Sequence, residues 1–225
     1  MKIMFLIIFM LTFLNSSLMV YSADNKIPVV IHNNGDNSTP MIFHITGDGG
    51  MVRFDTDMSK NYDANGYSFI ALNSLKYFFT PKSPTKLASD VVPLIKSYSE
   101  VWKKKNIILV GFSFGAEIIP FLYERLTDEL QKKVKLVVLL TPSGTSDFHI
   151  HFRDMIGMDR KKETYNVVEE TTKIKSPKIL AVYGDEEKNI SLKNNNQPNL
   201  KILYIKGEHG FRDSKTVFDL IMKEL

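Results

Sequence analysis

The sequence predicts an α/β fold, one domain built on a mostly parallel sheet. Three observations carry this expectation. Segments of strand and helix character alternate along the chain. Several strand segments are near-continuous apolar runs, "IILV" at 107–110 and "VKLVVLL" at 134–140 among them, as expected where helices cover both faces of a sheet. The loops after the strands read "TGDGG", "GFSFG", "YGDEEKN" and "KGEHGF", and an open parallel sheet gathers its ligand chemistry at the carboxyl ends of its strands.

Taken in order, "KIPVVIH" (26–32) reads as a first strand and "NNGDNSTP" (33–40) as a turn cluster. "MIFHITGDGG" (41–50) is a strand running into a Gly-rich turn, followed by a weakly patterned helix over 51–66. "YSFIALNS" (67–74) is the next strand. A helix over 83–102 has Ser83 as N-cap and Pro84 at its first position. Its Leu87, Val91, Leu94, Ile95, Tyr98 and Trp102 recur at helical spacing, and Pro93 is expected to bend or break it. Strand "NIILVG" (106–111), a helix over 115–130 and strand "VKLVVLLTPS" (134–143) come next. Residues 144–170 are less regular. The alternation resumes with strands "KILAVYG" (178–184) and "LKILYIKG" (200–207) and a closing helix over 213–225.

The chain has 225 residues, 44% of them hydrophobic, enough for one sizeable core. No repeat of fixed period argues for a solenoid or propeller. The first residues differ in kind: Lys2, an apolar run from Ile3 to Leu14 broken only by Thr12, then small residues around Ser22 and Ala23. That is the layout of a secretory signal peptide over residues 1–22, with Val20 and Ser22 suited to a cut before Ala23. An uncleaved anchor would need about 20 apolar residues, and this run is shorter. The expectation is therefore an exported protein, periplasmic or else secreted or at the surface, whose residues 23–225 form one domain. With no cysteine in the chain, disulfides, thiolate chemistry and a lipoprotein anchor are excluded. The net charge of +4 loses one unit with Lys2. That is too weak for a nucleic-acid footprint but compatible with contact to an anionic membrane surface.

Gly-Phe-Ser-Phe-Gly at 111–115 carries the chemistry. It falls between a buried strand and a helix, where a tight turn lifts a serine hydroxyl above the sheet edge. Ser113 is the candidate nucleophile, and the helix that begins there favours developing negative charge. A serine needs a base. His32 and His44 fall in or at the end of early strands and read as packed residues. His209, between the last strand and the last helix, can reach Ser113. The acid that orients it should lie between the two in chain order. Asp185 has the favoured residue type; Glu187 lies farther beyond the strand, where such loops turn toward the histidine. Both remain candidates. The oxyanion donors would be the N–H of Phe114 and that of Asp48 or Gly49. The loop holding Asp48 lacks GxxxxGK[ST] and GxGxxG, which argues against a phosphate cradle. His149 and His151 share one face of "HIHF", but no third metal ligand is evident, so they read as wall residues rather than a metal site.

Together, "ITGDGG", "GYSFIALNSLKYFFTPKSPTKLASDV", "VGFSFGAEIIPFLYERL", "SDFHIHFRDMIG" and "GEHGF" resemble the bacterial VirJ/AcvB virulence-protein family, from about Met41 to the C-terminus. The resemblance implies an α/β-hydrolase fold, a three-layer sandwich, with export to the periplasm; a serine esterase mechanism requires no cofactor. It also implies a serine triad matched by Ser113 and His209, and hydrolysis of the aminoacyl ester of lysyl-phosphatidylglycerol in a setting of virulence and type IV secretion. The family's cysteine-containing segment after the acidic turn is missing from "KNISLKNNNQ", so the resemblance does not choose between the two acids. A lysyl ester needs a carboxylate near the reacting carbonyl, for which Asp48, Glu117 and Asp147 are candidates. His151 falls in the family's "DF-x-I-H" stretch, beside Asp147. The alternative from another class is a non-catalytic secretion accessory factor on the same fold.

Overall fold

The computed structural model describes residues 27–150 and 165–225. The expected signal peptide and His151 lie outside the described residues. A seven-stranded sheet organises the chain, in the order β1-β3-β2-β4-β5-β8-β9. Its strands are β1 (Val29–His32), β2 (Met41–Ile45), β3 (Phe69–Leu72), β4 (Ile107–Phe112), β5 (Val134–Leu140), β8 (Lys178–Gly184) and β9 (Leu200–Ile205). All neighbours run parallel except the edge strand β1, which pairs antiparallel with β3. A small hairpin, β6 (Thr145–Ser146) with β7 (Tyr165–Asn166), stands apart from the sheet.

The apolar runs of the strands sort by alternation. Ile42, Ala71, Ile108, Val110, Val138 and Val182 point to one side, where α1 (Arg53–Ala64) and α7 (Ser214–Met222) cover them with Phe54, Met58, Tyr62, Phe218 and Ile221. Phe43, Ile45, Leu72, Leu109, Leu139 and Ala181 point to the other, under α3 (Pro84–Val101) and α4 (Phe114–Tyr123). Three layers result. Helix α4 is the central one, with every residue buried except Glu117.

Two expectations for the helices need correcting. The helix expected over 115–130 is two: α4 ends at Tyr123 and α5 (Asp128–Lys133) restarts, because the side chain of Thr127 accepts from Leu130 N and caps a new N-terminus. Helix α3 runs unbroken through Pro93, an exposed position, so of the expected bend or break the break does not occur. Ser83 caps α3 as expected, accepting from Lys86 N. Two short helices were not expected, α2 (Ser74–Tyr77) and α6 (Val167–Lys173).

Strand order also fixes where a site can form. From β2 the chain moves outward to β3, while β4, β5, β8 and β9 progress in the opposite direction. The connections after β2 and β4 therefore diverge and leave a crevice between their carboxyl ends. "TGDGG" and Ser113 meet there.

Candidate active site

Ser113 caps the N-terminus of α4 with φ +50° and ψ −116°, a conformation that costs a non-glycine residue about 1–3 kcal/mol. Its N–H continues the sheet ladder to Leu140 O at 2.8 Å, so the strand holds the strained turn in place. The flanking glycines answer to packing. A Cβ on Gly115 would lie 2.1 Å from Ile45 O of β2, and one on Gly111 would lie 2.4 Å from Gly115 O. Only backbone fits where strand and helix cross this closely.

Ser113 Oγ is 2.7 Å from His209 Nε2, and His209 Nδ1 is 3.3 Å from Glu187 Oε2. The second oxygen of Glu187 accepts from Gly184 N at 2.6 Å. The backbone explains how a loop after β8 reaches a loop after β9. Glu187 N donates to Gly184 O, closing a turn that folds the glutamate back over the strand end. Gly184 itself packs against the histidine loop so tightly that a Cβ would sit 2.2 Å from Gly207 O. Asp185 is not part of this chain of contacts. Its carboxylate accepts from Gly207 N at 2.9 Å, tethering the histidine loop two residues before His209. The imidazole also lies against Phe112, with ring centroids 6.3 Å apart.

These groups open into a cavity of about 690 Å³. Its described lining includes Asp48, Phe114, Glu117, Asp147, His149 and Lys188. Carboxylates outnumber ammonium groups on this wall, so the described lining is acidic. Of the two residues considered for the second oxyanion donor, Asp48 lines the cavity, whereas Gly49 packs against Val52. The N–H of Phe114, first residue of α4, has no acceptor within its helix. Among the described residues no group of three or more His, Cys, Asp or Glu side chains is arranged to hold a metal. His44 is a core residue, bonded to Asp55 at 2.9 Å and to Tyr62 at 2.9 Å. His32 pairs with Asp63 at the sheet edge, at 2.7 Å.

Sequence reasoning missed two contributors. Thr141, at φ +51° after β5, places its hydroxyl 3.5 Å from His209 Nε2. The "NSLKYF" stretch holds the "TGDGG" loop: Thr46 Oγ1 accepts from Ser74 N at 2.9 Å, and Ser74 Oγ donates to Thr46 O at 2.6 Å. Asn73 packs beside Gly50, whose φ of +72° suits glycine. The available signal was the unexplained polar pair Asn73-Ser74 directly after an apolar strand.

A hydroxyl, an imidazole and a carboxylate joined in this order can pass a proton from Oγ to Nε2 while the carboxylate stabilises the imidazolium. Solved structures with the same fold include Est1E from Butyrivibrio proteoclasticus, with TM-score 0.62 and 14% identity, covering 89% of this chain and 96% of that one. The Pyrococcus furiosus esterase Pf2001 aligns with TM-score 0.61 and 14% identity over 88% and 84% of the two chains. The thioesterase domain of the curacin biosynthetic pathway gives 0.60 and 14% over 86% and 94%. At such identity the likeness establishes the fold, which is that of the α/β-hydrolases. A search of curated protein sequences finds no significant match. The family model described as bacterial virulence protein (VirJ) matches residues 39–225, and over that span the chain belongs to the VirJ family.

Proposed function

We propose that the protein is an exported serine esterase acting on the aminoacyl ester of lysyl-phosphatidylglycerol. The observation that carries the reading is the unbroken contact from Ser113 through His209 to Glu187 at a polar cavity. Ser113 is the nucleophile, His209 the base and Glu187 the acid; Asp185 holds the loop.

With a proton on Nδ1, His209 donates to Glu187 and its Nε2 accepts the proton of Ser113 as Oγ attacks the ester carbonyl. The N–H groups of Phe114 and Asp48 receive the oxyanion. Collapse breaks the bond to the glycerol oxygen, which leaves with the proton from Nε2. The lysyl group remains esterified to Ser113. Water then attacks, giving its proton to Nε2, and lysine departs as Ser113 recovers its hydrogen. One ester and one water become lysine and phosphatidylglycerol, with no cofactor. The acidic wall of Asp48, Glu117 and Asp147 suits the two ammonium groups of the lysyl substrate, and His151 is assigned to the same subsite from the sequence.

The test is release of free lysine from lysyl-phosphatidylglycerol in mixed micelles, beside hydrolysis of a neutral nitrophenyl ester. Wild-type protein should release lysine, and Ser113→Ala should not. Asp147→Asn should lower lysyl-ester turnover more than neutral-ester turnover. Equal loss on both substrates refutes the cationic subsite, and neutral-ester turnover without lysine release refutes the substrate.

A further inference from the structure

The fold exposes two apolar residues near elements that build the cavity, one of them in a lysine-bearing stretch. Phe79, in the loop between α2 and α3, is 66% exposed, and Val52, after the "TGDGG" loop, is 43% exposed. Neither lines the cavity, but the chain neighbours of each reach its lining. Phe78 packs its ring edge-on against Phe114 at 5.0 Å, and its carbonyl accepts from Ile150 N; Phe114 and Ile150 line the cavity. Val52 packs beside Gly49, next to the cavity residue Asp48. The "TGDGG" loop also touches the start of α2, Gly50 lying against Asn73 and Leu75.

Along the chain around Phe79 the charges have one sign, whereas Asp48 lies near Val52 on the cavity side. No acid occurs between Asp63 and Asp90, while Lys76, Lys82 and Lys86 fall within that stretch. Lys76 is exposed, and Lys82 folds over the Tyr77 ring at 5.3 Å. The acids at the borders are occupied: Asp57 by Lys60 and Arg53, Asp90 by Lys86 and the Tyr77 hydroxyl. An exposed aromatic side chain on a short loop, with Lys76 and Lys82 three residues to either side and Lys82 bonded to Thr80, matches an anionic bilayer, where the ring enters the interface and the ammonium groups meet phosphates.

We propose that this tip, Phe79 with Val52, Lys76 and Lys82, is a docking face for an anionic lipid surface, holding the cavity mouth at the membrane. It does not depend on Ser113 being a nucleophile. Among the described residues no helix is long and apolar enough to cross a membrane.

The test uses protein purified in its exported form, co-sedimented with vesicles of phosphatidylglycerol and phosphatidylethanolamine or of phosphatidylcholine alone. Variants are Phe79→Ser and the pair Lys76→Gln with Lys82→Gln, with melting curves to show that they fold. A lysine near an anionic surface strengthens binding about fivefold, so the double lysine variant should bind about 25-fold more weakly. Phe79→Ser should also lose binding, and rising salt should weaken the wild type. Turnover of a water-soluble ester should be unchanged in both variants. Wild-type binding that ignores lipid charge, variants that bind as the wild type does, or folded wild type that ignores every vesicle each overturn the proposal; the last result would leave the face to a protein partner. Should vesicle binding behave as expected while no ester is turned over, the docking face stands and the esterase reading falls.

Discussion

Replacing Glu187 by Gln tests the division of labour between the two acids of "YGDEEKN". The carboxylate accepts two hydrogen bonds, from Gly184 N at one oxygen and from His209 Nδ1 at the other. An amide has one accepting oxygen, so one of those two donors would face an NH₂ group. If that donor is Nδ1–H, the imidazole is driven to the tautomer with its proton on Nε2, which cannot accept from Ser113. The charge is lost as well. Across 3.3 Å a carboxylate and an imidazolium attract by about 5 kcal/mol at an effective dielectric of about 20. His209 is 51% exposed, and water screens part of this. The wrong tautomer therefore carries most of the loss, which should reach roughly a thousandfold in rate. Asp185→Asn keeps an oxygen for Gly207 N and should cost less than about threefold. The assay is kcat/KM on a soluble nitrophenyl ester, with melting temperature as the folding control. A Glu187→Gln enzyme within about tenfold of wild type, or an Asp185→Asn enzyme that falls a thousandfold while folded, refutes this assignment.

Gly115→Ala should force α4 away from β2 by about 1 Å, costing about 1–3 kcal/mol of stability and about a hundredfold in kcat, read by thermal melts and ester turnover. Ser74→Ala frees the Thr46 carbonyl and loosens the "TGDGG" loop; kcat should fall several-fold with KM little changed, and Ser74→Thr should rescue part of it. Asp55→Ala breaks the buried bond to His44 and should cost about 3 kcal/mol in urea unfolding, while the folded fraction keeps its activity. Hydrogen bonding from Lys201 holds the Glu224 carboxyl below its ordinary value of 4.5, so its contribution to stability is full above that pH and disappears as pH falls through the lowered value. Glu224→Gln should therefore flatten the acid limb of a melting-temperature profile and leave a smaller gap from wild type at low pH.

The sheet was legible because its strands are covered on both sides, and apolar runs such as "IILV" carry that burial in the local sequence. The break between α4 and α5 was not, since the cap at Thr127 sits inside a pattern that reads as one helix. Ser113 could be placed from its neighbours alone because strand, turn and helix are contiguous. Glu187 could not be separated from Asp185. The difference is a turn closed by Glu187 N on Gly184 O and a backbone contact between Gly184 and Gly207, segments remote in sequence. The role of Asn73 and Ser74 was hidden for the same reason, since their partners lie in the loop after β2.

The most direct test of Ser113 as a nucleophile is labelling with a fluorophosphonate, read by intact mass and peptide mapping. Wild-type protein should take up one phosphonyl group, on Ser113 Oγ. Ser113→Ala should take up none, and His209→Ala should react far more slowly than wild type. Folded wild-type protein that stays unlabelled, or a Ser113→Ala variant that labels as fast as wild type, contradicts the assignment.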